Sequence, residues 1–225
     1  MIPSGVACLV PARAGSSRIL DKNLQLVGGL RLLERAVRTG IEAFGEVFVS
    51  TDDEEYARIA RDAGALVPRL RPAALGASTT SMDEVIQHAL AELLSADHRI
   101  LVLVQPTSPF TEAADLLAVV DALVSSPAAA CAMTVERLPA HTAFVLVQGS
   151  DGLSRHLAPA FASARSQDVP ALHRPTGGAF ASWTSRLRDG GEIAAEPIAT
   201  VEVPSSRALD IDDPEDLVLA RRQAE

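Results

Sequence analysis

Lysine is almost missing from this 225-residue chain: nineteen basic positions are Arg and one, Lys22, is Lys. Lys is a compact point charge and Arg a planar fork, so a lone ammonium in an arginine-rich chain marks Lys22 as a chemical choice. Cysteine is scarce too. Cys8 and Cys131 sit in apolar runs without metal or redox spacing and read as buried structural thiols. The five His form no HxxxH or HExxH pair, which argues against zinc. Nothing approaches ~18 consecutive apolar residues, and no basic stretch followed by an apolar one opens the chain. A soluble, cytoplasmic protein with no membrane partner is therefore expected. Positive charge is in deficit as well: the net charge of −9 argues against non-specific nucleic-acid binding, which is dominated by phosphate neutralisation. A small anion held by locally concentrated cations remains open. Finally, neither common phosphate loop is present, GxxxxGK[ST] or GxGxxG.

What is present begins at Val6. The run Val6-Ala7-Cys8-Leu9-Val10 reads as a buried strand. It breaks into Pro11-Ala12-Arg13-Ala14-Gly15-Ser16-Ser17-Arg18-Ile19-Leu20-Asp21-Lys22-Asn23. Small residues let backbone N–H groups approach an anion, and Arg13, Arg18 and Lys22 neutralise it. That combination suits a polyphosphate.

The order of elements points to an α/β fold. Gly28-Gly29 marks a turn, and Leu32, Leu33, Ala36, Val37 and Ile41 recur with helical spacing. Residues 46–50 read as the second strand. Thr51-Asp52-Asp53-Glu54 reads as a capping box opening a helix, with Asp52 and Asp53 capping rather than catalytic. Strand, helix, strand, helix implies a parallel sheet covered on both faces, with ligands at the carboxyl ends of its strands. Residues 69–80 form a loop, and Ser81-Met82-Asp83-Glu84 caps the next helix. Residues 99–104 are a core strand ending in Gln105-Pro106-Thr107-Ser108-Pro109, which presents Gln105, Thr107 and Ser108 at the strand's end. Thr111 is expected to cap the following helix. Residues 128–135 are another strand. Residues 136–175, rich in Pro, read as an excursion from a single domain spanning 1–225. Strands at 177–183 and 198–203 and a helix starting at Asp213-Pro214 complete the chain.

Asp210-Ile211-Asp212 is expected in extended backbone, where residues two apart share a face. Two carboxylates projecting together suit Mg²⁺ held between protein and substrate phosphates. Read alone, a DxD pair is a weak signal, and the segment reads first as a solvated turn before an N-cap.

The first loop resembles the PARGGSKRIPRKN loop of the acylneuraminate cytidylyltransferases, the CMP-sialic acid synthetase family, which binds the CTP triphosphate. Arg13, Gly15, Ser16, Arg18, Lys22 and Asn23 match. Ser17 replaces the family's usual Lys, as in the related enzymes that make CMP-Kdo, which also lack that Lys and keep the Arg. Four further stretches are similar: STDDEEYARIA to STDDEEIAEIA, the segment from Leu70 to Ser81 to LRPAELAxDTAS, QPTSPF to QPTSPLR, and ALDIDDPEDL to SxDIDTxxDL. Arg174-Pro175-Thr176-Gly177 matches RPNG with Thr for Asn. The matches run in order from Val6 to Leu217.

The resemblance implies a mostly parallel Rossmann-like sheet of the nucleotidyltransferase (glycosyltransferase-A-like) type, with residues 136–175 as a dimerisation excursion and a homodimer as the assembly. It implies a Mg²⁺-dependent cytidylyltransferase moving CMP from CTP to an acidic acceptor, a sugar acid of the nonulosonic type, with release of pyrophosphate. Arg13, Gly15, Ser16, Arg18 and Lys22 would then hold the triphosphate, and Asn23, Arg71 and Ser81 the nucleoside. Asp210 and Asp212 would hold Mg²⁺. Gln105, Thr107, Ser108, His141, His173, Arg174 and Thr176 would face the acceptor, with Arg13, Lys22, Gln105, Asp210 and Asp212 central to catalysis. The general base stays open between a metal-bound water and Asp210. Departures gather on the acceptor side: Thr176 for Asn, Thr111 for Arg, and His141 where some members have Lys. The alternatives are CMP transfer to a non-sugar acid such as a phosphonate, or a catalytically silent nucleotide-binding homologue.

Overall fold

The computed structural model describes residues 4–225. In chain order the elements are β1 (Val6–Pro11), β2 (Leu26–Val27), β3 (Leu30–Arg31), α1 (Leu32–Phe44), β4 (Phe48–Ser50), α2 (Glu54–Asp62), α3 (Met82–Glu92), β5 (Ile100–Val104), α4 (Ala113–Ser125), β6 (Cys131–Leu138), β7 (Leu146–Gln148), β8 (Ser154–His156), β9 (Leu172–Trp183), α5 (Thr184–Arg188), β10 (Ile198–Glu202) and α6 (Pro214–Gln223). Six strands form one sheet in the order β10-β6-β9-β5-β1-β4. Every pairing is parallel except those of β9, which runs against both β5 and β6. The expected mostly parallel α/β sheet is present. Among the described residues no helix is long and apolar enough to cross a membrane.

Alternation along the strands builds two apolar layers. Cys8, Val10, Val49, Val102 and Val104 face α1, α2 and α4, where Leu33, Val37, Tyr56, Leu116 and Val120 pack on them. Ala7, Leu9, Leu101 and Leu103 face the other way, onto Ile86 and Leu90 of α3 and Leu187 of α5. Because both faces are covered, all five residues of β5 are buried, the usual reason a central parallel strand reads as a continuous apolar run. A third cluster of Ile19, Val27, Leu32, Ile211, Leu217 and Ala220 joins the first loop to the segment before α6.

Several local expectations change. Gly28 and Gly29, with φ of 58° and 78°, form the turn of a short β2–β3 hairpin, so the strand at Phe48 is fourth in the chain. Asp53 alone caps α2, accepting from Tyr56 N at 3.0 Å, and the Asp52 side chain points elsewhere. Glu112, not Thr111, is the N-cap of α4, its N–H donating to Asp115 at 2.9 Å; Thr111 is buried instead. β9 begins at Leu172, inside the expected excursion, and Leu138↔Leu172 and Glu136↔Arg174 pair β6 with it. The projection thus grows directly from a sheet ladder.

Candidate active site

The carboxyl ends of β1 and β5 meet the 71–85 segment and the segment before α6 around a cleft of about 430 Å³. Ala12 N donates to Ser50 O at 2.9 Å, where β1 gives way to the loop. The loop is clamped rather than free. Buried Asn23 donates from Nδ2 to Arg13 O at 3.1 Å, closing a ring of eleven residues on itself. Ala14 N donates to Asp52 Oδ1 at 3.2 Å. Gly15 takes the left-handed conformation, with φ of 68°. Asp21 is also left-handed, at φ 45°, and turns the chain into the single helical turn that carries Lys22.

Lys22 is the hinge of the site. Its side chain is only 17% exposed, and Nζ donates to Ile211 O at 2.6 Å. Ile211 is fully buried beside Ile19 and Leu32, and its own N–H donates to Thr107 O at 2.8 Å. One apolar anchor and two hydrogen bonds thereby hold residues 210–212 against both the first loop and the end of β5. Arg207 adds a tie to the start of α4, pairing with Glu112 and, at 3.1 Å, with Asp115. The Asp210–Asp212 segment is a loop, not the expected strand. The loop still buries Ile211 and leaves both carboxylates on the cleft.

The electrostatics converge there. Asp212 lies 3.6 Å from Arg18 and 3.8 Å from Lys22 and is 66% exposed, so in this state cations and carboxylate neutralise one another. Burial pushes the Asp210 carboxyl above its ordinary range; a hydrogen bond from Thr107 opposes this, the charge of Asp212 reinforces it, and Lys22 opposes it. Ser108 donates to Thr176 O at 3.2 Å and lies 3.5 Å from Asp210. Gly177, with φ of 75°, lets β9 approach closely: a Cβ there would lie 3.1 Å from Asp210, 3.2 Å from Ser108 and 3.3 Å from Gln105.

Among the described residues no group of three or more His, Cys, Asp or Glu gathers as a metal site. Two carboxylates are what is available, one of them disfavoured by burial unless a cation joins it. Such an all-oxygen, two-ligand set fits Mg²⁺ completed by substrate phosphates.

Of the residues singled out in the sequence, Arg13, Ser16, Arg18, Lys22, Asn23, Arg71, Ser81, Gln105, Thr107, Asp210 and Asp212 line this cleft. Gly15 sits outside it and Ser108 is buried behind Asp210. His141, His173, Arg174 and Thr176 are not brought to it. The Thr176 hydroxyl is buried against Thr134, 2.7 Å away. Arg174 pairs with Glu136 at 2.8 Å, and His173 lies 3.6 Å from Glu202, both on the solvent-facing part of β9. His141 is exposed in the turn after β6. Ser17, Ser78 and Thr80, which lie in stretches matched to the family, also line the cleft, as do Met82 and Val85, which carried no signal beyond the start and periodicity of a helix.

The sequence model of the cytidylyltransferase family matches residues 7–148. The chain belongs to that family. An N-acylneuraminate cytidylyltransferase of Streptococcus agalactiae serotype V is 26% identical over 218 residues, covering 94% of this chain and 51% of that protein. A pseudaminic acid cytidylyltransferase of Campylobacter jejuni serotype O:2 is 29% identical over 226 residues, 95% of this chain and 94% of that one. The chain spans about half the length of the N-acylneuraminate cytidylyltransferases at this level of similarity. Among solved structures, a CMP:2-keto-3-deoxy-manno-octonic acid synthetase complexed with CTP superposes with a TM-score of 0.74 at 18% identity, covering 97% of this chain and 98% of that one. This likeness establishes the nucleotidyltransferase type of fold. The family match ends before Asp210 and Asp212, which this chain brings to the cleft through Lys22 and Ile211.

Proposed function

We propose that the protein transfers CMP from CTP to an acidic acceptor, a sugar acid of the nonulosonic type, releasing pyrophosphate. The observation that carries this is the meeting of Arg18 and Lys22 with Asp212 in a cleft that Arg13, Arg71 and Ser81 also line. Such a set of cations beside a carboxylate pair suits the triphosphate of a nucleotide.

In the reaction, an acceptor oxygen forms a bond to the α-phosphorus. The bond from that phosphorus to the bridging oxygen breaks, and its electron pair leaves with pyrophosphate. Arg13, Arg18 and Lys22 spread the charge that builds on the leaving group, and the pre-shaped loop holds the chain of phosphates in line. Gln105, at the end of β5 and facing Gly177, orients the acceptor oxygen. Asp210 and Asp212 are the residues that would hold Mg²⁺, which when bound supplies Lewis-acid stabilisation of the phosphate charge. Arg71 and Ser81 receive the nucleoside.

The acceptor is argued from the relatives and from what this chain lacks. The similar proteins are named for acylneuraminate and pseudaminic acid, both sugar acids. Where the acylneuraminate family has an Asn amide, Thr176 has a hydroxyl already engaged with Thr134, and Thr111 carries no charge. A site that leaves a polar group of its ligand unpaired loses roughly 1–3 kcal/mol for each. N-acetylneuraminate should therefore be a poor acceptor relative to another sugar acid of this class. The test is pyrophosphate release with each nucleoside triphosphate, across N-acetylneuraminate, other nonulosonic acids and small phosphonates. CTP should be preferred, and N-acetylneuraminate emerging with the highest kcat/KM would refute the acceptor assignment.

We also propose a homodimer through residues 136–175. Phe144 and Phe161 are partly buried, whereas Val145, Leu146, Val147, Leu153 and Leu157 on and beside the β7–β8 hairpin are exposed. Such an apolar strip is of the kind that marks an association surface.

A further inference from the structure

We infer that Asp52 is a positioning residue that locks the phosphate loop to the nucleoside-side Arg71, so that both halves of the nucleotide site are held as one unit. The inference rests on the nucleotide reading above.

Asp52 follows the carboxyl end of β4 by two residues and stands between two segments of the cleft. Its Oδ1 accepts from Ala14 N at 3.2 Å, in the crest of the phosphate loop, and from Arg71 Nη2 at 3.4 Å. Its Oδ2 faces Gly76, where a Cβ would come within 2.2 Å of it. The carboxylate is therefore enclosed on three sides by the loop, the guanidinium and the 70–81 segment.

Arg71 needs such a partner. It is 4% exposed, and its backbone N–H donates to Thr51 O at 2.7 Å, which fixes the main chain beside Asp52. Burial pulls the guanidinium below its ordinary value, and the Asp52 carboxylate opposes this. A buried charge without a counter-charge is strongly disfavoured. Among the described residues Arg71 Nε has no hydrogen-bond partner and is buried, although the side chain lines the cleft. One donor is thus held toward Asp52 while another stays unengaged beside the nucleotide site. Asp52 does not line the cleft; it acts through Ala14 and Arg71.

Three substitutions separate this role from simple destabilisation. Asp52→Ala removes both hydrogen bonds. Asp52→Asn keeps an acceptor at Oδ1, sets its amide toward Gly76, and removes only the charge. Gly76→Ala alters no polar group and pushes the carboxylate off its partners. Each is measured by calorimetric CTP titration, alone and combined with Arg71→Lys, with circular dichroism confirming the fold. Asp52→Ala should weaken CTP binding by about tenfold to a hundredfold, as for loss of a charge-assisted contact. Gly76→Ala should move the same way, and Asp52→Asn should recover part of the loss. The KM for CTP should rise while that for the acceptor stays unchanged. Asp52→Ala with Arg71→Lys should lose clearly less than the sum of the two single changes, because the two share the Asp52–Arg71 contact. If Asp52→Ala does not fold, the same comparisons are read on Gly76→Ala and Asp52→Asn. Folded variants with wild-type CTP affinity, or effects that add fully to Arg71→Lys, would overturn the role of Asp52. Absence of CTP binding by the wild-type protein would overturn the nucleotide reading itself.

Discussion

Lys22→Ala isolates the contribution of the only ammonium side chain in the molecule. Two unit charges about 4 Å apart interact by about 4 kcal/mol at an effective dielectric of about 20, and by about 1 kcal/mol in bulk water. With its side chain 17% exposed, Lys22 belongs nearer the first regime when a phosphate arrives. Its pairing with Asp212, 3.8 Å away and 66% exposed, belongs nearer the second and must be given up in part. The difference, about 2–3 kcal/mol, agrees with the usual worth of a hydrogen bond to a charged group. CTP affinity should accordingly fall by roughly 30- to 150-fold. The Ile211 carbonyl also loses its charged donor at 2.6 Å, which should cost about 1.5–3 kcal/mol of folding stability. Lys22→Arg should rescue only in part, because a guanidinium is too broad for the short contact to Ile211. Calorimetry with CTP and Mg²⁺, paired with pyrophosphate release, measures both effects. Unchanged affinity together with unchanged turnover in Lys22→Ala would remove the loop from the active site.

Other predictions follow from the same geometry. Asp212→Ala should lower turnover by about a hundredfold or more with the fold intact, since the side chain is exposed; near-normal Mg²⁺-dependent turnover would refute its metal role. Cys8 is fully buried and its thiol is pushed up from 9.0 to about 12 by burial. The unfolded chain then releases a proton that the folded chain keeps, so Cys8 should cost stability as pH rises from about 9 to about 12, at about 1.4 kcal/mol per pH unit. The difference in urea midpoint between Cys8→Ala and wild type should shift in favour of the variant across that window; a difference independent of pH would refute the argument. Light scattering should show a dimer that Leu146→Asp with Leu157→Asp converts to a monomer, whereas a wild-type monomer at assay concentration would contradict the association surface.

Much of the frame was legible in the residues alone, because it depends on local rules. The apolar run of β1 and the uninterrupted Ile100–Val104 follow from burial on both faces of a parallel sheet. Ser81 with Glu84 and Asp213 with Pro214 announce the starts of α3 and α6, since capping needs residues only two or three apart. The loop from Arg13 to Asn23 carries its own chemistry in its composition.

What joins that loop to the rest was decided only by the tertiary structure. Lys22 meets Ile211 across 189 residues because the chain, after β10 at the sheet's far edge, returns to the first loop through the Ile19–Ile211 cluster. Asp52 looked like a cap, since its neighbours make a capping pattern; Asp53 took that role, and Arg71 and Ala14, far along the chain, claimed Asp52. Thr176 stands in the expected motif, yet the β6–β9 ladder turns its hydroxyl onto Thr134. Periodicity tells which face of an element is buried. Which distant donor meets which acceptor depends on strand order and on the direction of β9, and neither leaves a trace in neighbouring residues.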